Sequence, residues 1–263
     1  MPLKLGQGIG LPFGQRLAAF DPKSGNPRHY FDFKHGLSMF NTDVGGTVPV
    51  STDLDPVNYV QPQMGSEPLV GQNSGLQYRA SVNLGAYSGP ALYSGHTSNP
   101  SLRGVNSYGA EETFLLYFYG AGWGAGLKSI CGKTGNSGQL FYNGDTITLS
   151  LFNGSGAFTS TGKNVAGGPA LLALRHHGDG KTSFSVNQGS YFETYAAGSG
   201  VFGKAEFAHA GGAGFGTGAF YYIAGAYFNY IVPDNVRDAY FAYWSSSWRH
   251  NHFSSSPHFP PNP

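Results

Sequence analysis

Glycine and proline punctuate this chain from end to end, and that punctuation decides most of what it can become. Of its 263 residues 41 are Gly and 16 are Pro. Pro49, Pro56, Pro62, Pro68, Pro90 and Pro100 forbid long helices between residues 29 and 105, because each removes a backbone donor and clashes with the preceding turn. A chain so interrupted either stays open or builds itself from short extended segments joined by turns. Its hydrophobic fraction of 40%, with 20 Phe and 17 Tyr, decides for the second, because that much apolar surface can bury a core even though only 11% of residues are charged.

The extended segments can be read directly. Residues 75–82 are a strand candidate within the turn-rich stretch 29–105, and from about residue 106 the signals strengthen. Residues 113–119 form a continuous apolar and aromatic run, as in a strand inside a sandwich. Residues 145–152 alternate polar and apolar side chains and follow residues 139–142 across Asn143-Gly144, a strong hairpin signal. Residues 170–174 and 182–186 flank the turn-like His177-Gly178-Asp179-Gly180, and residues 220–228 are a last long strand candidate. One helix is expected, opened by Pro233-Asp234 and carrying Val236, Ala239, Tyr240, Tyr243 and Trp244 on one face. Many short strands with a single helix predict an all-β sandwich.

Charge and cysteine content exclude several functions. Fifteen basic residues against 14 acidic ones give a net charge of +1, which leaves no electrostatic footprint for a nucleic-acid backbone. The single Cys131 excludes a disulfide framework and a thiolate zinc cluster. No apolar run approaches the roughly 20 residues needed to span a bilayer as a helix. The first residues, Met1-Pro2-Leu3-Lys4-Leu5-Gly6, lack the apolar core of a secretion signal, so a soluble chain not exported by a standard route is expected.

Three regions are expected. Residues 1–28 read as a Gly-rich arm whose Leu3, Leu5, Ile9, Leu11 and Phe13 suit docking onto a partner, since glycine permits close backbone approach. Residues 29–248 form the sandwich, with 29–105 as its turn-rich lead-in, and residues 249–263 are a polar tail of Ser, His, Asn and Pro. The glycine-rich run 198–218 reads as a long ordered surface loop.

The order of these segments carries a family likeness. Residues 112–248 resemble the concanavalin A-like, laminin-G-like jelly-roll superfamily in three pieces: the strand 113–119, the pair 170–175 and 182–187 with Asn187-Gln188-Gly189 where members often have an Asn-Gly turn, and the closing strand followed by Val232-Pro233-Asp234 and Ser247-Trp248. Residues 32–57, with Leu37-Ser38-Met39-Phe40-Asn41, Thr47-Val48-Pro49-Val50 and Asp55-Pro56-Val57, are similar to a lead-in found before such jelly rolls in tailed-bacteriophage proteins. The stretch 5–13 resembles N-termini of phage virion proteins. Together these resemblances imply a concanavalin A-like jelly-roll sandwich with one short C-terminal helix and extended arms, belonging to a virion assembled in the host cytoplasm. The implied partners are other capsid or tail proteins and copies of the same chain.

The candidate chemistry is sparse. A glycosidase on this fold needs a carboxylate pair on one strand face. Glu111 and Glu112 are adjacent and so point to opposite faces, while Glu193 and Glu206 stand alone. His176-His177-Gly178-Asp179 offers metal-ligand types, but adjacent His residues on a strand diverge and Gly-Asp-Gly is an ordinary hairpin turn, so it reads as a solvated turn rather than a metal site. The resemblance implies a rim calcium in some members, but no ligand set can be named from these acidic residues. Residues 120–129 are Gly-rich without P-loop spacing and read as a rim loop exposing Trp123. Trp123, Tyr119, Tyr142 and Tyr191 are the aromatic residues near loops that suit sugar contact, against the competing reading that a sandwich this aromatic buries most of its rings. The sequence therefore predicts a non-enzymatic virion structural protein, a surface decoration, cement or accessory component of capsid or tail. The alternative is an adhesin module of a tail or head fibre that binds a receptor or a host glycan.

Overall fold

The aromatic and β-branched runs pair into two antiparallel sheets whose inner faces share one core. A computed structural model describes residues 20–34, 36–41, 47–71, 75–85, 87–94, 102–104, 111–121, 127–133, 137–143, 148–153, 158–164, 169–179, 181–195, 205–207 and 219–246. The first half of the chain supplies β1 (His29–Asp32), β2 (Met39–Phe40), β3 (Tyr59–Val60), β4 (Leu69–Gly71), β5 (Leu76–Asn83), β6 (Ser88–Ser94) and β7 (Leu102–Arg103). Next come β8 (Glu112–Ala121), β9 (Leu127–Lys133), β10 (Ser137–Asn143), β11 (Thr148–Asn153) and β12 (Phe158–Asn164). The chain then runs through β13 (Ala170–His176), β14 (Lys181–Val186), β15 (Phe192–Tyr195), β16 (Ala205–Phe207), β17 (Ala219–Phe228) and the helix α1 (Asp234–Ser246).

The first sheet has the order β15-β14-β13-β8-β17-β6-β5, with β1 added beside the second half of β17. The second has the order β12-β11-β10-β9-β16-β7-β4-β3-β2. Between them lie Phe114, Leu116, Phe118, Leu172, Leu174, Phe184 and Tyr222 from the first sheet, facing Met39, Val60, Leu69 and Leu102 from the second. Period-two alternation places these side chains inward and their neighbours outward. The result is a jelly-roll β-sandwich with one short C-terminal helix.

The outer face of the first sheet has its own apolar layer. Leu115, Tyr117, Leu171, Ala173, Ile223, Ala224, Ala226 and Phe228 point away from the sandwich and are covered by Val232 and, through Tyr240 and Trp244, by α1. A register shift between Tyr222 and Ala224 lets both Ile223 and Ala224 face this side, as a bulge does. Trp244 is fully buried, stacked on Tyr30 and Tyr117 with centroids 6.4 and 6.2 Å away, and its Nε1 donates to the Tyr30 hydroxyl at 3.3 Å. Val236, Tyr240, Tyr243 and Trp244 therefore occupy the helix face that the sequence spacing predicts.

Residues 29–105, the turn-rich lead-in of the sandwich, contribute strands to both sheets: β1, β5 and β6 join the first and β2, β3, β4 and β7 the second. Several segments differ from the sequence reading. Residues 20–28, assigned above to the arm, are fastened to the helix side. Phe20 packs edge-on against Tyr240 at 5.0 Å, the Tyr240 hydroxyl donates to the Pro22 carbonyl, and the Tyr230 hydroxyl donates to the Gly25 carbonyl at 2.6 Å. The run 198–218 is not loop throughout, since β16 within it bridges β7 and β9; three residues between glycines are too few to show periodicity. The 139–152 hairpin forms, but its pairing closes at Asn143 and Thr148 rather than directly around Asn143-Gly144. Just after β14, Asn187 adopts φ +54°, a conformation Asn tolerates, and its Oδ1 accepts from the Leu171 amide at 3.0 Å.

Candidate functional site

One end of the outer face of the first sheet escapes the helix. There the register lines up Gln77 of β5, Tyr93 of β6, Tyr221 of β17 and Tyr119 of β8 directly across four neighbouring strands. Cross-strand partners project to the same side, so the four side chains form one row, about 14 Å long at the usual strand spacing. Tyr93 and Tyr221 lie 4.8 Å apart between ring centroids with planes tilted by 36°, and Tyr221 and Tyr119 lie 6.5 Å apart with a 37° tilt. All four residues are partly buried. Among the described residues, none of the three hydroxyls nor the Gln77 amide makes a hydrogen bond, and none of these polar atoms is buried. Burial of its ring raises the pKa of the Tyr221 hydroxyl above its ordinary value, with Tyr93 adding to the rise and Arg79 opposing it.

The row ends at a loop that folds back on the sheet edge. Arg79 lies over the Tyr93 ring, 5.8 Å from its centroid, a cation–π arrangement. Its Nε donates to Asp53 Oδ1 at 3.1 Å, and the same oxygen accepts from the Ala80 amide at 2.9 Å. Leu54 follows at φ +70° with its side chain 51% exposed, while its amide donates to the Tyr78 carbonyl at 2.8 Å. A leucine in the left-handed region is strained, and such strain persists only where surrounding bonds over-determine the backbone. Here Asp55 supplies them, accepting from the Ser51 and Thr52 amides and the Thr52 hydroxyl; that hydroxyl first, then the two amides, hold its carboxyl below the ordinary range. The loop thus fixes Asp53, and Asp53 fixes Arg79.

Of the aromatic residues singled out from the sequence, Tyr119 stands in this row. Tyr191 does not; it sits at the opposite flank of the same face, where Arg175 and Arg237 approach its ring with Cζ at 3.6 and 5.1 Å. Those arginines are themselves engaged. Arg175 Nη2 donates to the Val232 carbonyl and to Asp234 Oδ1 at 2.7 Å. Arg237 reaches Asp238 at 2.7 Å, Ser185 Oγ at 3.3 Å and the Gly189 carbonyl at 3.1 Å. This cluster pins the start of α1 to β13 and β14. Tyr142 lies in β10 opposite Leu149 and Lys128, and its side chain is outside the described residues. Trp123 and the arm residues Leu3, Leu5, Ile9, Leu11 and Phe13 also lie outside them.

The carboxylates divide as their parity requires. Glu111 is exposed, whereas Glu112 is fully buried between the sheets, with its Oε1 accepting from the Tyr227 hydroxyl. His176, read above as part of a solvated turn, is the last residue of β13; it is fully buried and paired in register with Glu112. His29 stacks on Tyr227 at 6.1 Å and stands 3.8 Å from Glu67. Burial lowers its pKa, with Glu67 opposing the shift and Arg28 reinforcing it. Gly65, at φ +95°, closes this interior group, because a Cβ there would meet the Arg28 carbonyl at 2.2 Å. Among the described residues no three His, Cys, Asp or Glu side chains come together as a metal set, so a rim calcium finds no carboxylate cluster there. Nor is any helix among them long and apolar enough to cross a membrane.

No protein-family model matches the sequence, and no curated protein matches it either. Solved structures do match in shape. Botulinum neurotoxin type C, whose passage into cells depends on interaction with two ganglioside molecules, superposes with a TM-score of 0.51 at 9% identity, over 79% of this chain and 50% of that one. The binding domain of botulinum neurotoxin DC, in complex with rat synaptotagmin II, gives 0.52 at 9% identity over 82% and 53%. Trypanosoma rangeli sialidase with the inhibitor DANA gives 0.52 at 12% identity over 80% and 36%. This chain therefore spans about half the length of the neurotoxin chains and about a third of the sialidase. At these identities the likeness defines the fold, a lectin-like jelly-roll sandwich.

Proposed function

We propose that this chain is a non-enzymatic glycan-recognition module of a virion, with the open tyrosine row as its contact surface. The observation that carries the reading is the row itself: three partly buried tyrosines side by side on one sheet, their hydroxyls without a hydrogen bond among the described residues, beside an arginine anchored by Asp53. Sugars present apolar ring faces bordered by hydroxyl groups, and amphipathic tyrosines match both features with few side-chain torsions to fix. The fold likeness to neurotoxin binding domains, one from work on gangliosides and one bound to a protein receptor, supports a recognition role. Full burial of Glu112 removes it from contact with a substrate, which speaks against hydrolysis.

The virion placement rests on the resemblance of residues 32–57 and 5–13 to phage proteins. In that setting Leu3, Leu5, Ile9, Leu11 and Phe13 dock onto another virion protein or a second copy, and Phe20 marks where the arm meets the domain. The same arm favours a second reading, a capsid or tail decoration protein that binds no glycan.

A glycan array probed with the wild-type chain and with a Tyr93→Ala/Tyr221→Ala variant tests the first reading. Wild-type binding that falls roughly tenfold or more in the variant is expected, about the worth of one to two aromatic contacts. Absence of wild-type binding to every glycan overturns it and passes the case to decoration. Decoration in turn predicts that deleting residues 2–18 abolishes incorporation into particles while the sandwich still folds.

A further inference from the structure

The guanidinium of Arg79 is only half used. Its Nε is committed to Asp53 at 3.1 Å and its plane lies over Tyr93, yet among the described residues nothing accepts a hydrogen bond from either terminal nitrogen. The side chain is 27% exposed, and its terminal nitrogens are left for a ligand at the end of the tyrosine row. A fixed fork with two parallel N–H donors matches a planar carboxylate. Because Asp53 grips Nε and the strained loop grips Asp53, the fork is held before any ligand arrives, and less ordering entropy opposes binding.

We infer that the row binds an acidic sugar, whose ring packs on Tyr93 and Tyr221 while its carboxylate takes the two terminal nitrogens of Arg79. The Gln77 amide and the tyrosine hydroxyls are the partners for the sugar's own hydroxyl groups. This inference rests on the glycan-recognition reading and gives its ligand class: a uronic acid or a sialic acid within an oligosaccharide.

The test compares each acidic oligosaccharide, one uronic and one sialylated, with its carboxyl-methyl-ester counterpart, by calorimetry or interferometry on the full chain. The wild type is expected to prefer at least one of the acids over its ester by roughly tenfold, the scale of a charge-assisted hydrogen-bond pair. Arg79→Gln is expected to bind acid and ester alike, and Arg79→Lys to keep only a reduced preference for the acid, since Lys retains the charge but not the fork. Thermal unfolding at the wild-type temperature shows that these variants are folded. Equal binding of acid and ester by the wild type overturns the role of Arg79 and leaves glycan recognition standing. Undiminished acid preference in both variants overturns it as well. If neither form of either sugar binds although other glycans do, the ligand class is wrong, and if no glycan binds at all, the underlying reading falls with it.

Discussion

Tyr117 and Tyr119 stand two residues apart on β8 and face the same side of the same sheet, yet they belong to different worlds. Tyr117 is 4% exposed beneath Trp244, whereas Tyr119 joins an open row with its hydroxyl in water. In the sealed part of the face Tyr30, Tyr117 and Tyr240 pack around Trp244, with the Tyr30 hydroxyl accepting from its nitrogen and the Tyr240 hydroxyl donating to the Pro22 carbonyl. The open part has Tyr93, Tyr119 and Tyr221 with no such ties. What separates the two is the reach of α1 and residues 20–25, not the composition of the strands. An aromatic residue on this face is structural where α1 covers it and is left for recognition where, among the described residues, no such cover lies.

The largest effect should come from removing the cover. Trp244→Ala is expected to cost about 3–5 kcal/mol, because it leaves a cavity bounded by Tyr30, Tyr117 and Tyr240. Urea denaturation measures this, and the Tyr93→Ala/Tyr221→Ala variant run alongside should stay within about 1 kcal/mol of wild type. Equal losses in the two would erase the distinction between sealed and open.

A smaller loss is expected where the helix is pinned. Arg237→Ala removes the bonds to Asp238, Ser185 and Gly189 and should cost about 2–3 kcal/mol, as for buried charge-assisted hydrogen bonds. The same measurement, repeated as sugar binding, should show no change, since Arg237 stands at the flank away from the row. A parallel loss of binding would mean that the two ends of the face are coupled.

The mildest probe is alkaline pH. Burial pushes the Tyr117 hydroxyl up to about 12 and also raises Tyr30 and Tyr240. A tyrosine in the unfolded chain ionises near about pH 10. Between about pH 10 and 12 the unfolded chain thus loses protons that the folded chain keeps, and stability drops as pH rises through that window. Tyr117→Phe should flatten the drop measured by denaturant midpoints, and an unchanged slope would contradict burial as the cause.

Much of this architecture was legible from residue order. The unbroken apolar run of β8 reflects a strand buried on both faces, the helix-spaced Val236, Tyr240 and Trp244 reflect one buried face, and the period-two run 145–152 marks the hairpin that β10 and β11 form. The site was only partly legible, through Tyr119. Phe220, Tyr221 and Tyr222 are three aromatic residues in succession, and their order alone cannot say that the middle one faces water, because both faces of β17 are apolar. Arg79 was hidden for another reason: its role depends on Asp53, 26 positions away, through a loop whose decisive feature is a backbone angle at Leu54. Strand β16 left no pattern because three residues cannot display one.

Recognition through the open end of the first sheet is tested most directly by mapping a bound glycan on the protein with backbone amide chemical shifts. Titration of an oligosaccharide retained on the array should shift amides in residues 77–80, 91–94, 119–121 and 219–222, and should leave those of 234–246 in place. Shifts concentrated on β10 to β12 or along α1, with the tyrosine row silent, would contradict the account.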